Sequence, residues 1–145
     1  MNRSAGILLP ISSLPSKYGI GNFGKKAYEF VDWLKEAGQT YWQILPLVPT
    51  SYGDSPYQSF STYAGNPYFI DLDALVEEGV LTQEEVDAAD FGDIADSIDY
   101  EKLYSERMPL LRKAYERSKI SENEEYGRYM KENEWLLTDY ALFMA

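Results

Sequence analysis

The chemistry available to this chain is limited to carboxylates, hydroxyls and the backbone. Its 145 residues include no histidine and no cysteine. The sequence therefore excludes an imidazole base, a thiolate nucleophile, a disulfide framework and a zinc site with nitrogen or sulfur ligands. The formal net charge is −11, with 13 Lys and Arg against 24 Asp and Glu. A net negative charge repels phosphate backbones, and the sequence contains no run of basic residues. The composition therefore argues against a nucleic-acid partner.

Residues 41–70 contain a dense group of aromatic side chains, eight of the 22 in the chain. Within this segment, residues 49–59 alternate turn-forming residues with hydroxyls, which predicts a loop. Aromatic faces and hydroxyls without a cationic side chain suit a neutral polyol, because sugar C–H faces stack on rings and sugar hydroxyls need adaptable hydrogen-bond partners. The composition therefore favours a carbohydrate ligand. The alternative is that the rings fill a core beneath a long loop.

Asp54 is the one carboxylate between Glu36 and Asp71, which makes it a candidate for catalysis. A lone carboxylate between Gly53 and Ser55 is more typical of a turn residue that accepts hydrogen bonds from nearby backbone N–H groups. We therefore expect Asp54 to be a structural turn residue.

The elements that must position this segment form a strand, a helix and a strand. Residues 5–9 are a short apolar run that predicts a strand buried on both faces. Residues 25–37 have the apolar spacing of a helix that ends at Gly38, and residues 41–45 read as a second strand. This order predicts parallel pairing with a right-handed crossover, and ligands of parallel α/β folds bind at the carboxyl ends of the strands.

The second half of the sequence predicts helices. Residues 72–79 favour a short helix, Thr82 with Glu85 has the spacing of a capping box, and residues 87–99 read as an acidic linker. Tyr104, Met108, Leu111 and Tyr115 fall on one helical face, which Pro109 should bend or restart. Ser121 with Glu124 matches a second capping box, and a last apolar face is formed by Leu137, Tyr140, Ala141 and Met144.

The pattern of the last helix continues to Ala145 without a stop signal, and two buried strands would leave open sheet edges. We therefore expect a truncated chain. The apolar stretch at residues 6–11 is too short for a signal peptide, and no segment approaches the length of a membrane span. These features predict a soluble, cytoplasmic protein without a membrane partner.

Longer strings resemble one family of enzymes. Residues 53–61 read GDSPYQSFS and residues 64–71 read AGNPYFID, both similar to the 4-alpha-glucanotransferases called amylomaltases or disproportionating enzymes, glycoside hydrolase family 77. The same family is matched by GILLP, SSLP, YGIG, YWQILPL and DYALFMA at residues 6–10, 12–15, 18–21, 41–47 and 139–145. The resemblance spans essentially the whole chain.

The resemblance implies an α/β fold: the first two strands and crossover helix of a (β/α)8 barrel within residues 1–71, including a sugar-facing loop at 46–67. An inserted, mostly helical subdomain would follow at 72–145, truncated at its C-terminus. The implied activity is transfer of α-1,4-glucan segments to acceptor sugars by a retaining mechanism. The catalytic carboxylates of such enzymes come from later strands, so the resemblance places no catalytic residue in this chain and implies neither a cofactor nor a metal.

Carried over residue by residue, the resemblance implies that Tyr57 stacks on the sugar beside the scissile bond and that Ser55 contacts the same sugar. Tyr52 and Tyr104 match aromatics of a second glucan-binding site found in some members. The implied partners are α-1,4-glucans and maltooligosaccharides. Two alternatives stay open, a freestanding non-catalytic carbohydrate-binding module and a purely structural or interaction domain. The parallel strands argue against the binding module, since such modules are usually antiparallel sandwiches.

Overall fold

A computed structural model describes residues 3–51, 53–92 and 96–144. In chain order the strands and α-helices are β1 Gly6–Leu8, α1 Lys25–Glu36, β2 Tyr41–Gln43, α2 Leu72–Glu77, α3 Gln83–Asp87, α4 Tyr100–Lys102, α5 Met108–Ser118, α6 Glu124–Glu132 and α7 Glu134–Met144. A π-helical turn at Leu103–Arg107 joins α4 to α5, and short 3-10 turns lie at Ile11–Ser13, Pro67–Phe69 and Ile120–Glu122. No helix within the described ranges is long and apolar enough to cross a bilayer.

The predicted strand, helix and parallel strand are confirmed. β1 pairs with β2 in the register Gly6–Tyr41, Ile7–Trp42 and Leu8–Gln43. Gly6 is required by this close approach, because a Cβ atom there would lie 2.5 Å from the carbonyl oxygen of Tyr41. The expectation that β1 is buried on both faces is wrong for the chain described, since Ile7 is half-buried and Leu8 is exposed. The reason is that each strand has one partner strand within the described residues.

A small apolar cluster joins the strands to α1. Its buried members are Ile11, Leu14 and Ala27, and half-buried Phe30, Trp42 and Phe69 pack against them with Leu9 and Leu47. Trp42 also donates its indole N–H to the carbonyl oxygen of Leu9, with a nitrogen–oxygen distance of 2.8 Å. This bond fixes the end of β1 against β2, so the loops that follow both strands start from a defined edge.

A larger core lies among the helices and reaches back to the N-terminal loop. Its buried members are Tyr18, Ile20, Leu72, Leu81, Val86, Phe91, Leu103, Leu110 and Ala114. Tyr18 and Ile20 precede α1, whereas Phe91 lies in the segment predicted as an acidic linker. That linker therefore contributes a core side chain as well as a charged surface, while residues 93–95 of it lie outside the described residues.

The N-terminal cap predicted for α3 is confirmed, whereas the one predicted for α6 is wrong. Thr82 forms the predicted capping box with Glu85 at the start of α3. The second predicted box, Ser121 with Glu124, is wrong, because Ser121 lies inside a 3-10 turn. Asn123 caps α6 instead, and its side-chain oxygen accepts from the backbone N–H of Glu125 and Tyr126 at 2.8 and 3.2 Å.

The face predicted around Tyr104 is an exposed face of the helix. The restart expected at Pro109 occurs, since the π-helical turn ends at Arg107 and α5 begins at Met108. The side chains that enter the core are Leu103, Arg107, Leu110 and Ala114, with the spacing i, i+4, i+7 and i+11. Tyr104 and Tyr115 remain 68% and 62% exposed. Leu111 is half-buried between the two faces.

Candidate functional site

The aromatic loop leaves the sheet at the carboxyl end of β2 and is closed at its base by Asn66. The backbone N–H of Asn66 donates to the carbonyl oxygen of Leu47 at 2.9 Å, and its side-chain amide donates to the carbonyl oxygen of Val48 at 3.3 Å. Asn66 is buried, and its side-chain oxygen accepts from the N–H of Tyr68 at 3.0 Å. This asparagine therefore pins both ends of the loop to one point beside the strand.

Within the loop, Asp54 and Ser55 lie in a tight turn. Asp54 has a left-handed backbone with φ +58°, and Gly53 beside it has φ +98°. The N–H of Asp54 donates to the carbonyl oxygen of Ser51 at 3.1 Å. Asparagine, aspartate and glycine tolerate this conformation better than other residues, which gives the Gly53-Asp54 pair a backbone reason to occur here. Tyr52 lies outside the described residues.

Ser55 and Tyr57 are adjacent in space, as the predicted site requires. The Ser55 hydroxyl oxygen accepts from the backbone N–H of Tyr57 at 3.3 Å. The carbonyl oxygen of Ser55 accepts from the N–H of Gln58 at 3.1 Å, so the backbone turns sharply at this point. The Tyr57 ring is 74% exposed. The turn therefore presents an open aromatic face with a hydroxyl beside it.

A tyrosine cluster that the sequence analysis missed lies between the loop and the helices. The rings of Tyr68 and Tyr100 are in tilted contact with centroids 6.1 Å apart. Burial raises the pKa of the Tyr68 hydroxyl, and the nearby carboxylate of Asp54 and hydroxyl of Tyr104 raise it further. Burial followed by the Asp54 carboxylate also raises the pKa of Tyr100. The Asp54 carboxylate therefore lies close enough to both tyrosine hydroxyls to act on them through its charge.

Arg107 joins the helices to the segment that follows the 3-10 turn at Pro67–Phe69. Its side chain is fully buried and donates from Nη2 to the carbonyl oxygen of Ile70. Desolvation lowers the pKa of Arg107 to about 10, although the charges of Asp71, Tyr18 and Tyr68 oppose this shift. Its Nε and Nη1 atoms have no hydrogen-bond partner within the described part of the chain. The sequence signal that could have revealed this residue is its helical spacing from Leu103 and Leu110, which puts a charged side chain on an apolar helix face.

The side chains that this region offers to a ligand are aromatic rings and hydroxyls. Tyr57 and Tyr104 offer exposed rings, and Ser55 and Tyr68 offer hydroxyls, which are the groups that recognise a polyol. Within the described residues no cluster of three or more His, Cys, Asp or Glu side chains could hold a metal ion. The core-filling alternative holds for part of the segment only: Trp42, Tyr68 and Phe69 are half-buried against the two cores, whereas Tyr57 and Tyr63 are largely exposed.

These features define an α/β protein with a long aromatic loop at the carboxyl end of two parallel strands. The family model described as 4-alpha-glucanotransferase matches residues 9–145, and the chain belongs to this family. A 4-alpha-glucanotransferase of Clostridium butyricum is 54% identical over 135 residues, covering 93% of this chain and 28% of the relative. One from Thermus thermophilus is 47% identical over 147 residues, covering 99% of this chain and 28% of the relative.

A solved structure agrees with the sequence comparison. The amylomaltase from Streptococcus agalactiae in complex with acarbose superposes with a TM-score of 0.90 at 44% identity. The match covers 99% of this chain and 29% of that structure. The chain thus spans little more than a quarter of the length of the relatives it matches.

Proposed function

We propose that this chain is the N-terminal part of a cytoplasmic 4-alpha-glucanotransferase that transfers segments of α-1,4-glucans and maltooligosaccharides to acceptor sugars. The observation that carries the proposal is the match of residues 9–145 to the family, with an amylomaltase in complex with acarbose as structural neighbour. In the complete protein β1, α1 and β2 would begin a (β/α)8 barrel, and residues 72–145 would form the inserted helical subdomain.

In this proposal the chain binds and orients the glucan. The exposed ring of Tyr57 stacks on the sugar beside the scissile bond, where apolar C–H groups meet an aromatic face. The Ser55 hydroxyl, whose oxygen accepts from the backbone N–H of Tyr57, offers a further hydrogen bond to that sugar. Holding the sugar ring in one orientation lowers the barrier because the reacting atoms are then close to their productive geometry.

The bond-breaking groups are proposed to come from the rest of the protein. A retaining transfer needs a carboxylate nucleophile and a carboxylic acid about 5 Å apart, which form and then resolve a glycosyl-enzyme intermediate. Asp54 serves the turn instead, since its left-handed backbone holds the Ser55–Tyr57 segment in place. We assign Tyr104, together with Tyr52, to a second site for long glucans, an assignment supported by the exposure of the Tyr104 ring.

The test is a transfer assay with maltotriose. The complete protein, or the Clostridium butyricum relative with its matching segment replaced by these 145 residues, should form glucose and longer maltooligosaccharides. The 145-residue chain alone should form neither, because stacking and hydrogen bonding cannot replace the carboxylate pair. Sustained transfer by the chain alone that is lost in Asp54→Asn would overturn the assignment of the catalytic groups.

A freestanding carbohydrate-binding module is the alternative function, and its prediction differs. If the chain were such a module, the isolated 145-residue chain would bind maltoheptaose in solution. The complete protein would then show no transfer. Membership of a family of transferases, over nearly the whole chain, favours the enzyme.

A further inference from the structure

Two ring contacts join the outer half of the loop to the last helix. Phe60 lies against Phe143 with ring centroids 5.9 Å apart, and Tyr63 lies edge-on against Trp135 at 5.2 Å. We call these four residues the aromatic clamp. Its two loop residues follow Tyr57 by three and six positions, so the clamp lies on the same segment as the proposed stacking ring.

In the described part of residues 51–64, the hydrogen bonds are all local. Ser51 donates from its N–H to the carbonyl oxygen of Gln58 at 3.0 Å, which closes the inner turn. The Ser61 hydroxyl oxygen accepts from the N–H groups of Tyr63 and Ala64 at 3.4 and 3.2 Å, which shapes the outer turn. Bonds between residues at most seven positions apart define the shape of the loop but do not fix it against another element. The ring contacts to α7 supply such a fixed point.

The helix is well suited to this role because it presents two rings at different heights. Trp135 and Phe143 are eight residues apart, which corresponds to about 12 Å along an α-helix. A loop held at two points that far apart cannot pivot about either one. Both rings remain more than half exposed, and α7 buries none of its own side chains. Their contact with the loop is therefore a contact between two surface elements and not part of a core.

We propose that Trp135 and Phe143 of α7 are positioning residues that hold the Tyr57 loop in its sugar-stacking geometry. The proposal rests on the proposed function for its catalytic consequence. Neither ring touches the sugar in this scheme, and their effect reaches the substrate through Phe60 and Tyr63. A loop released from the clamp samples other geometries, and the fraction of molecules ready to stack on the sugar falls by the same factor as the apparent affinity.

The first measurement is amide hydrogen exchange in the complete protein, which requires no activity. Trp135→Ala should speed exchange of the Ser61, Tyr63 and Ala64 amides by about 2- to 13-fold, the range expected for one aromatic pair. Trp135→Phe, which keeps a ring, should restore most of the protection. Tyr129→Ala, at an exposed aromatic of α6, is the matched control and should leave these amides unchanged. Unchanged loop exchange in Trp135→Ala would overturn the clamp.

The second measurement is a double-mutant cycle on transfer from maltotriose. Trp135→Ala and Phe143→Ala should each lower kcat/KM by about 2- to 13-fold. In a Tyr57→Ala background the same substitutions should have no further effect, because the ring that they position is gone. Equal losses in both backgrounds would mean a general structural defect and would overturn the positioning role. Absence of transfer activity in the parent protein would overturn the proposed function and this catalytic consequence, while the exchange result still decides the clamp.

Discussion

The helices α2 to α5 and the loop at residues 46–67 stabilise their conformations by different means. The helices bury side chains from several elements in one core, where Leu72 and Leu103 have no exposed surface. The loop keeps Tyr57 and Tyr63 largely exposed and is shaped by short-range hydrogen bonds from backbone N–H groups to serine hydroxyl oxygens. In the helices apolar burial supplies the stability, whereas in the loop Tyr57 stays exposed, which the proposed stacking on a sugar requires.

The difference separates stability from ligand contact along the chain. A core side chain affects how much of the protein is folded, and an exposed loop ring affects what the folded protein binds. Arg107 and Asn66 connect the two regions, since Arg107 bonds the carbonyl oxygen of Ile70, just after the loop, and Asn66 closes the loop base. Substitutions on either side of these connections should therefore change different observables.

The largest effect on stability should come from Leu103→Ala. Leu103 is fully buried in the larger core, and truncating such a leucine costs about 2–5 kcal/mol because contacts are lost and a cavity remains. Urea denaturation of the 145-residue chain measures this loss. Leu142→Ala, at a position 80% exposed, is the matched control and should change the free energy of unfolding by less than about 0.5 kcal/mol. Equal costs at the two positions would contradict the assignment of stability to the helical core.

The comparison also explains which features could be predicted from the sequence. The strand, helix and strand were predictable because apolar runs and 3.6-residue spacing are local signals, and the Thr82 capping box was predictable for the same reason. The Ser121 box failed because Lys119 adopts a left-handed conformation and a 3-10 turn follows it, so α6 begins two residues later than the motif suggests.

Contacts between distant residues could not be predicted in this way. Tyr63 and Trp135 are 72 positions apart, and no periodicity links a loop ring to a helix ring at that separation. Arg107 is buried against the segment around Ile70, 37 positions earlier in the chain, and local spacing does not specify that contact. The exposure of Leu8 likewise depends on which neighbours cover the strand and not on its own apolar character.

Tyr57→Ala should have the largest effect on ligand contact. Losing one stacking ring removes about 1–3 kcal/mol, so kcat/KM for maltotriose in the complete protein should fall roughly 5- to 150-fold. Tyr57→Phe should lose much less, because the ring remains. The melting temperature should stay close to that of the parent protein, since the side chain is mostly exposed. A stability loss without a kinetic loss would reverse the contrast between loop and core.

Glu85 tests whether charges support the helical region. Its carboxylate accepts from Arg117 at 2.7 and 2.9 Å, from Lys113 at 2.9 Å and from the N–H of Thr82 at 3.1 Å. These donors, Arg117 foremost, lower the pKa of Glu85 from about 4.5 to about 2. Because the folded pKa lies below the unfolded one, the stabilisation is complete above about pH 4.5 and is lost as the pH falls toward about 2.

Glu85→Gln should therefore be less stable than the parent chain at pH 7 and should approach it in stability near pH 2. The measurement is the midpoint of urea unfolding as a function of pH. Arg117→Met should reduce the change in stability between pH 7 and pH 2, because it removes the donor that lowers the pKa of Glu85 most. If the difference in urea midpoint between the parent and Glu85→Gln stays constant down to pH 2, ionisation of this carboxylate does not contribute to stability.

Tyr104 lies in the helical region but is as exposed as the loop rings. It therefore gives the sharpest test of the contrast between a stabilising helical core and a ligand-contacting loop. Its ring is largely exposed on the turn whose neighbouring residues enter the core, and its hydroxyl lies close enough to Tyr68 to raise the pKa of that hydroxyl, after burial and Asp54. If it serves a second site for long glucans, Tyr104→Ala should weaken binding of amylose. Turnover of maltotriose should stay within about threefold, a small change in barrier by transition-state arithmetic.

Tyr115→Ala is the control for this substitution, because Tyr115 is an equally exposed tyrosine on the same helical face. Affinity for amylose, measured by co-sedimentation or by KM, should fall in Tyr104→Ala and stay unchanged in Tyr115→Ala. A loss of maltotriose turnover as large as that of Tyr57→Ala would mean that Tyr104 contacts the sugar at the reaction site. The second site would then be part of the reaction site, and the helices would supply ligand contacts as well as stability.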